Sequence, residues 1–190
     1  MNCDYPLSVT IDGEEFEIEG KCDYRVILDC IEVYEDPNFD VLTQHQTALT
    51  IFYKEPQKIK NAEEAIKQML RIIDCEMEDD AQIGQNESSE PPLRLMSWKH
   101  DFKFIAPAIN RVLGYDVRTP NKYVHWWTFM GAFQEIGECT WSTFVSIRKK
   151  RAKHEKLEEW EQKVYRENKQ HIDLPQNLTD EEKEWLDSDW

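Results

Sequence analysis

Residues 121–150, NKYVHWWTFMGAFQEIGECTWSTFVSIRKK, set the strongest constraint on how this chain folds. Three tryptophans, Trp126, Trp127 and Trp141, stand beside Phe129, Phe133 and Phe144. Trp126, Phe129, Met130 and Phe133 fall at i, i+3, i+4 and i+7, the spacing that gathers side chains on one face of a helix. Trp141, Phe144, Val145 and Arg148 repeat it after a break at Gly137. The spacing predicts a helical hairpin with an aromatic seam. Nothing in it is arranged for chemistry, so it reads as packing or assembly surface. Trp126 and Trp127 are adjacent and cannot share one face. The phase puts Trp126 in the core and Trp127 nearer the surface.

Upstream, residues 7–18, LSVTIDGEEFEI, read as a β-hairpin. Leu7, Val9 and Ile11 alternate on one arm, Phe16 and Ile18 on the other, about the two-residue turn Asp12-Gly13. Helical stripes come next. Asp23 is placed to cap a helix with Val26, Ile27, Cys30, Ile31 and Tyr34 on one face. Val41, Leu42, His45, Ala48, Leu49 and Phe52 make a second stripe. Ala62, Ala65, Ile66, Met69, Leu70 and Ile73 make a third, opened by the capping pair Asn61 and Glu64. Ser97 caps a fourth helix with Phe102, Ile105, Ala106, Ile109, Val112 and Leu113 inward. Pro107 is expected to kink it, and Gly114 to end it.

Two stretches break this pattern. EMEDDAQIGQNESSEPP, from 76 to 92, is polar and acidic and reads as a flexible loop near 76–96. RKKRAKHEKLEEWEQKVYRENKQH, from 148 to 171, is charged, with only Ala152, Leu157, Trp160, Val164 and Tyr165 as apolar relief. It predicts a single helix leaving the body. Pro175 breaks it. Thr179-Asp180-Glu181-Glu182 is a capping box that opens a short terminal helix bearing Trp185, Leu186 and Trp190.

The net charge of −15 is unevenly placed. Residues 1–97 hold 22 acidic and 8 basic side chains, whereas residues 98–190 hold 16 and 15. Such a chain is ill suited to grip phosphates. No window approaches the roughly 20 apolar residues of a membrane span. The five cysteines, Cys3, Cys22, Cys30, Cys75 and Cys139, show no C-x-x-C spacing. Met1-Asn2-Cys3-Asp4 lacks the basic start and apolar run of a secretory signal. Reduced thiols and a cytoplasmic location are expected.

Each candidate for chemistry has a plainer reading. His125 could be a base, but a lone histidine at a helix start is more often a packed or capping residue. His154-Glu155 starts like a zincin motif, but Glu158 stands where the second histidine belongs. Glu76, Glu78, Asp79 and Asp80 lack the spacing and glycine of a calcium loop. Only 6 glycines are present, and none builds a phosphate loop. The basic cluster 148–156, with aromatics upstream, could contact RNA, yet Glu155, Glu158, Glu159 and Glu161 balance it. No catalytic residue, cofactor or metal is assigned.

Two successive segments resemble a known family. SWKHDFKFIAPAINRVLGYDV, from 97 to 117, resembles its D-x-x-x-I-x-x-A-F-x-x-x-Y-G-I-D-L segment. There Ala106-Pro107 replaces the Ala-Phe pair, and Gly114-Tyr115-Asp116 stands for the Tyr-Gly-Ile-Asp element. HWWTFMGAFQEIGECTWSTFVSIR, from 125 to 148, resembles its HWW-x-F-x-x-L-x-x-x-L-x-x-x-T-x-F-x-x-I-x-x-I-R. The family is the bacteriophage minor tail, or tail assembly chaperone-like, proteins of long-tailed phages and prophages of Gram-positive bacteria. The resemblance implies a helical, non-enzymatic protein made in the infected host cytoplasm. It implies a role in keeping the tape measure protein soluble and recruiting tail tube protein, with departure before the virion is finished.

The expected fold is mainly α: a helical bundle-like domain with an N-terminal β-hairpin over 1–147, then a charged helical extension over 148–190. The expected partners are the tape measure and tail tube proteins, with self-association also open and no membrane partner. The candidate protein-binding residues are Trp127, Phe133, Trp141, Phe144, Arg148, Trp160, Trp185 and Trp190. Two alternatives stand beside the chaperone: a permanent structural or adaptor protein of the tail, and a small nucleic-acid-binding regulator.

Overall fold

A computed structural model describes residues 5–76, 93–176 and 178–180. Residues 77–92, most of the expected loop, and the terminal residues 181–190, with Trp185 and Trp190, lie outside the described residues. The fold is mainly α with an N-terminal two-stranded hairpin, as the residue spacing predicts. Among the described residues, no helix is long and apolar enough to cross a membrane.

The chain divides into two compact units, one of residues 1–83, 123–130 and 177–190, the other of 84–122 and 131–176. The first opens with β1 (Ser8–Ile11) and β2 (Glu14–Glu17), antiparallel with Val9 opposite Phe16. Asp12 and Gly13 turn the chain at φ 50° and 84°, the left-handed pair that a two-residue hairpin needs. Val9, Ile11, Phe16 and Ile18 are buried, and Leu7 is exposed.

Beyond the hairpin stand α1 (Tyr24–Glu35), α2 (Val41–Phe52) and α3 (Ala62–Ile73). Each starts on a side-chain cap. Asp23 accepts from the Arg25 N–H, Asp40 from Thr43 and Asn61 from Glu64. α1 buries Tyr24, Ile27 and Cys30; α2 buries Ala48 and Phe52; α3 buries Ala65, Met69 and Ile72. The Tyr53 hydroxyl donates to the Ala65 carbonyl at 2.8 Å. Three stripes depart from the expected burial, the third at Val112, which is exposed rather than inward. Val41 and Leu42 are 66% and 65% exposed, because the first turn of α2 finds no covering neighbour among the described residues. Leu70 is exposed because α3 buries the 65–69–72 line instead.

The second unit contains α4 (Trp98–Leu113), α6 (Thr140–Ala152) and α7 (Glu159–Ile172). Helix α5 (Trp126–Gln134) gives its residues up to 130 to the first unit and those from 131 to the second. α4 runs through Pro107, which is exposed, so the ring that cannot donate faces solvent. Gly114 ends the helix at φ 74°. Phe144, Ile147 and Ile172 form a core packed by Phe104, Leu157, Val164 and Tyr165.

The charged stretch 148–171 is not a single helix. α6 ends at Ala152, His154 takes a left-handed φ of 56°, and α7 starts anew at Glu159. A capping box between Glu158 and Glu161 opens α7. The division expected between 147 and 148 falls inside α6.

Candidate functional site

The His-Trp-Trp segment is a junction of helix ends. His125 precedes α5, and its Nδ1 accepts the Trp127 backbone N–H at 3.1 Å. Its Nε2 lies 3.1 Å from the Pro6 carbonyl. A backbone N–H only donates and a carbonyl only accepts, so the ring is the neutral tautomer with its proton on Nε2. Tyr5 stacks on it with centroids 4.4 Å apart. Burial pushes the His125 pKa below its usual value, partly offset by the Pro6 carbonyl and Asp23. Both nitrogens are engaged, which makes His125 a cap for α5.

The two indoles close the end of α3. The Trp126 Nε1–H donates to the Ile73 carbonyl at 2.9 Å, and the Trp127 Nε1–H to the Ile72 carbonyl at 3.2 Å. The last carbonyls of a helix lack intrahelical partners. Neighbouring residues on different faces of α5 therefore serve the same helix terminus. Trp126 is buried and stacks near Phe129, which in turn lies parallel to Tyr24 at 4.5 Å. Trp127 is half-buried. Burial pushes the Cys22 and Cys30 thiols up to about 12 and Cys75 to about 11, so all three stay protonated at neutral pH.

In the second unit, Phe133 lies between Trp98 and Trp141, with ring centroids at 4.9 and 5.0 Å. Both Phe133 and Trp141 are half-buried. Phe144 is buried against Phe104 at 5.1 Å. Cys139 caps α6: its Sγ accepts the Ser142 N–H, and the Ser142 Oγ accepts the Cys139 N–H. This cap is invisible in the sequence, since cysteine is not among the usual capping residues.

Arg148 lies inside the fold, unlike a residue of a solvated basic face. Its Nη1 and Nη2 meet Asp101 Oδ2 and Oδ1 at 2.7 and 2.8 Å. Nη1 also donates to the Leu95 carbonyl at 2.9 Å, Nη2 to the His171 carbonyl at 2.8 Å, and Nε to the Ile172 carbonyl at 2.6 Å. Five N–H donors meet five acceptors. Asp101 also takes the Ser97 N–H at 3.2 Å. Asp101 is the partner of Arg148 that the sequence signals only weakly: a carboxylate one helical turn before Ile105 sits on the inward stripe of α4.

Two further cations of the basic cluster are also engaged. Lys150 Nζ meets both oxygens of Glu161, at 2.7 and 2.8 Å. The hydrogen bond from Lys150 holds the Glu161 carboxyl below its usual range, although burial opposes this. Arg151 pairs with Asp173 and lies over the Tyr165 ring. Lys149, Lys153 and Lys156 are exposed, as is Arg151. Among the described residues, no group of three or more His, Cys, Asp or Glu side chains gathers to hold a metal ion.

Of the eight candidate protein-binding residues, Trp127 belongs to the first unit, and Phe133, Trp141, Phe144, Arg148 and Trp160 to the second. Phe144 and Arg148 are committed to the interior. Trp160 on α7 is 56% exposed. In the first unit, apolar surface lies at Phe39, Val41 and Leu42.

The junction and the buried ion pair account for both ends of the 125–148 segment: its histidine and tryptophans close helix ends, and its arginine fills the second core. No curated protein matches the chain, and no solved structure does. A family model does match, over residues 1–174, and it spans both ends of that segment; the chain belongs to the Bacteriophage Gp15 protein family.

Proposed function

We propose that this protein is a tail assembly chaperone that binds the tape measure protein and assists formation of the tail tube. The observation that carries the reading is membership of a bacteriophage family together with the His125–Arg148 segment, which resembles tail chaperone-like proteins. The geometry supports a binding role for the apolar surface. His125, Trp126, Trp127 and Arg148 have their polar atoms engaged within the fold. An exposed indole such as Trp160 suits the apolar face of a partner helix.

Co-expression with the tape measure protein of the same phage tests the reading. Soluble yield of the tape measure protein rises, and the complex survives moderate salt because apolar contact dominates. Phosphate-driven binding instead weakens steeply between about 50 and 200 mM salt. Mass spectrometry of purified particles then finds little of this chain. Stoichiometric amounts in finished tails would instead assign it as a permanent tail component, the second reading open to a phage structural or assembly-related protein.

A further inference from the structure

The corner between α1 and α2 combines exposed apolar side chains with an acidic rim. Phe39, Val41 and Leu42 run into the first turn of α2, and all three are exposed. Val33 and Phe39 line a shallow cleft with Asp29, Glu32 and Asp36. The backbone beneath is held in place. Gln44 Nε2 donates to the Tyr34 and Asp36 carbonyls at 3.4 and 3.3 Å, and the Tyr34 hydroxyl lies 2.9 Å from His45 Nδ1. A partner therefore meets a preformed surface.

Charge selects the occupant. α1 has no basic residue in its last turn, although the C-terminus of a helix favours cations. Its C-terminal half instead carries Asp29, Glu32 and Glu35, and Asp36 follows at the cap. Partial burial, then Glu32, push the Asp29 carboxyl above its usual range. The backbone N–H of Asp180 donates to Asn38 Oδ1 at 2.8 Å, which brings a further acidic residue to the corner. A second copy of the chain would set one acidic rim against another. A nucleic acid or an anionic lipid would bring phosphates against the same carboxylates. α1 and α2 give an extended segment no strand to pair with, whereas a helix arrives with its backbone bonds already made. We propose that this acid-rimmed apolar corner docks a basic amphipathic helix of a partner protein, its apolar face on Phe39, Val41 and Leu42 and its cations against Asp29, Glu32 and Asp36.

Methyl NMR on the full chain tests it with a synthetic helical peptide of about 18 residues, leucines on one face and lysines flanking them. Val41 and Leu42 methyl resonances shift and saturate. Val41→Ser or Leu42→Ser weakens binding about tenfold or more, the loss expected when one aliphatic side chain leaves the contact. Both side chains are exposed, so neither variant opens the core. Added salt shortens the screening length from about 10 Å at 0.1 M to about 3 Å at 1 M, and affinity falls several-fold without being lost. Asp29→Asn combined with Glu32→Gln flattens that salt dependence.

Absent methyl shifts overturn the proposal, as does binding that ignores Leu42→Ser. Equal binding of a peptide with glutamate in place of lysine also overturns it. Shifts that follow protein concentration without peptide overturn it by assigning the corner to a second copy. The site rests on the partner-binding reading above, yet the two fail separately. Variants that no longer take the peptide but still keep the tape measure protein soluble would remove this site as the chaperone surface and leave that reading standing.

Discussion

Arg148 and Asp101 form a bidentate ion pair inside the second unit, 47 residues apart in sequence, with side chains 6% and 0% exposed. Removing one partner strands the other charge away from water, which costs about 3–5 kcal/mol. Arg148→Met and Asp101→Asn should each lower stability in urea melts by that order. Replacing both with apolar residues removes the stranded charge and should cost less than the two single losses combined. Simple additivity would show that the two side chains act independently.

The adjacent tryptophans predict an unequal pair of losses. Trp126 is buried and Trp127 half-buried, yet each closes one carbonyl of α3. Trp126→Ala should cost about 3–5 kcal/mol. Trp127→Ala should cost less. Trp127→Phe keeps the ring, loses the Nε1 donor and should cost about 0.5–1.5 kcal/mol. Equal losses for the two alanine variants in denaturant melts would contradict the observed burial.

Local signals are the most legible ones. Asp12-Gly13 announces the hairpin, Asp23 and Asn61 the starts of two helices, and Gly114 the end of another, because each acts within a few residues. Long-range outcomes are hidden. The spacing sets Arg148 on the seam with Trp141 and Phe144, apart from Lys149 to Arg151, but it does not show that a charged side chain there is buried. Its burial depends on Asp101 and on the carbonyls of Leu95, His171 and Ile172. The break between α6 and α7 is equally obscure, since 148–171 suits a helix throughout. It rests on His154 in a left-handed conformation and on a glutamate cap at Glu158. At Val41 and Leu42 the helical phase is visible, but whether a neighbour lies opposite is not a property of the stripe.

His125 should make the first unit sensitive to acid. Its folded pKa lies below the unfolded value of about 6.5, chiefly through burial. Below that pH the unfolded chain binds more protons than the folded one, so stability rises with pH there. Stability is therefore full above about 6.5 and falls as pH drops toward the folded value. Protonation also places a proton on Nδ1, which now accepts the Trp127 N–H. NMR titration should place the His125 midpoint below about 6.5. His125→Asn keeps a capping acceptor and should flatten the slope between neutral and mildly acidic pH. A midpoint at or above the ordinary histidine value would refute the assignment.

Ile172 sets how far the chain can be shortened. It is fully buried with Phe144 and Ile147, and its carbonyl accepts the Arg148 Nε–H. The Pro175 carbonyl accepts from Arg94 at 2.9 Å. The family match ends at 174, between these two contacts. A chain ending at Gln176 should keep the second unit folded, with near-parental stability. A chain ending at His171 loses the Ile172 side chain and one acceptor of Arg148. Ile→Ala truncation at such a site already costs about 2–5 kcal/mol. Hydrogen exchange across α4 and α6 should therefore stay slow in the longer chain and accelerate in the shorter. Equal protection in both would mean that α7 holds its place through Glu161 and Tyr165 without its last residue.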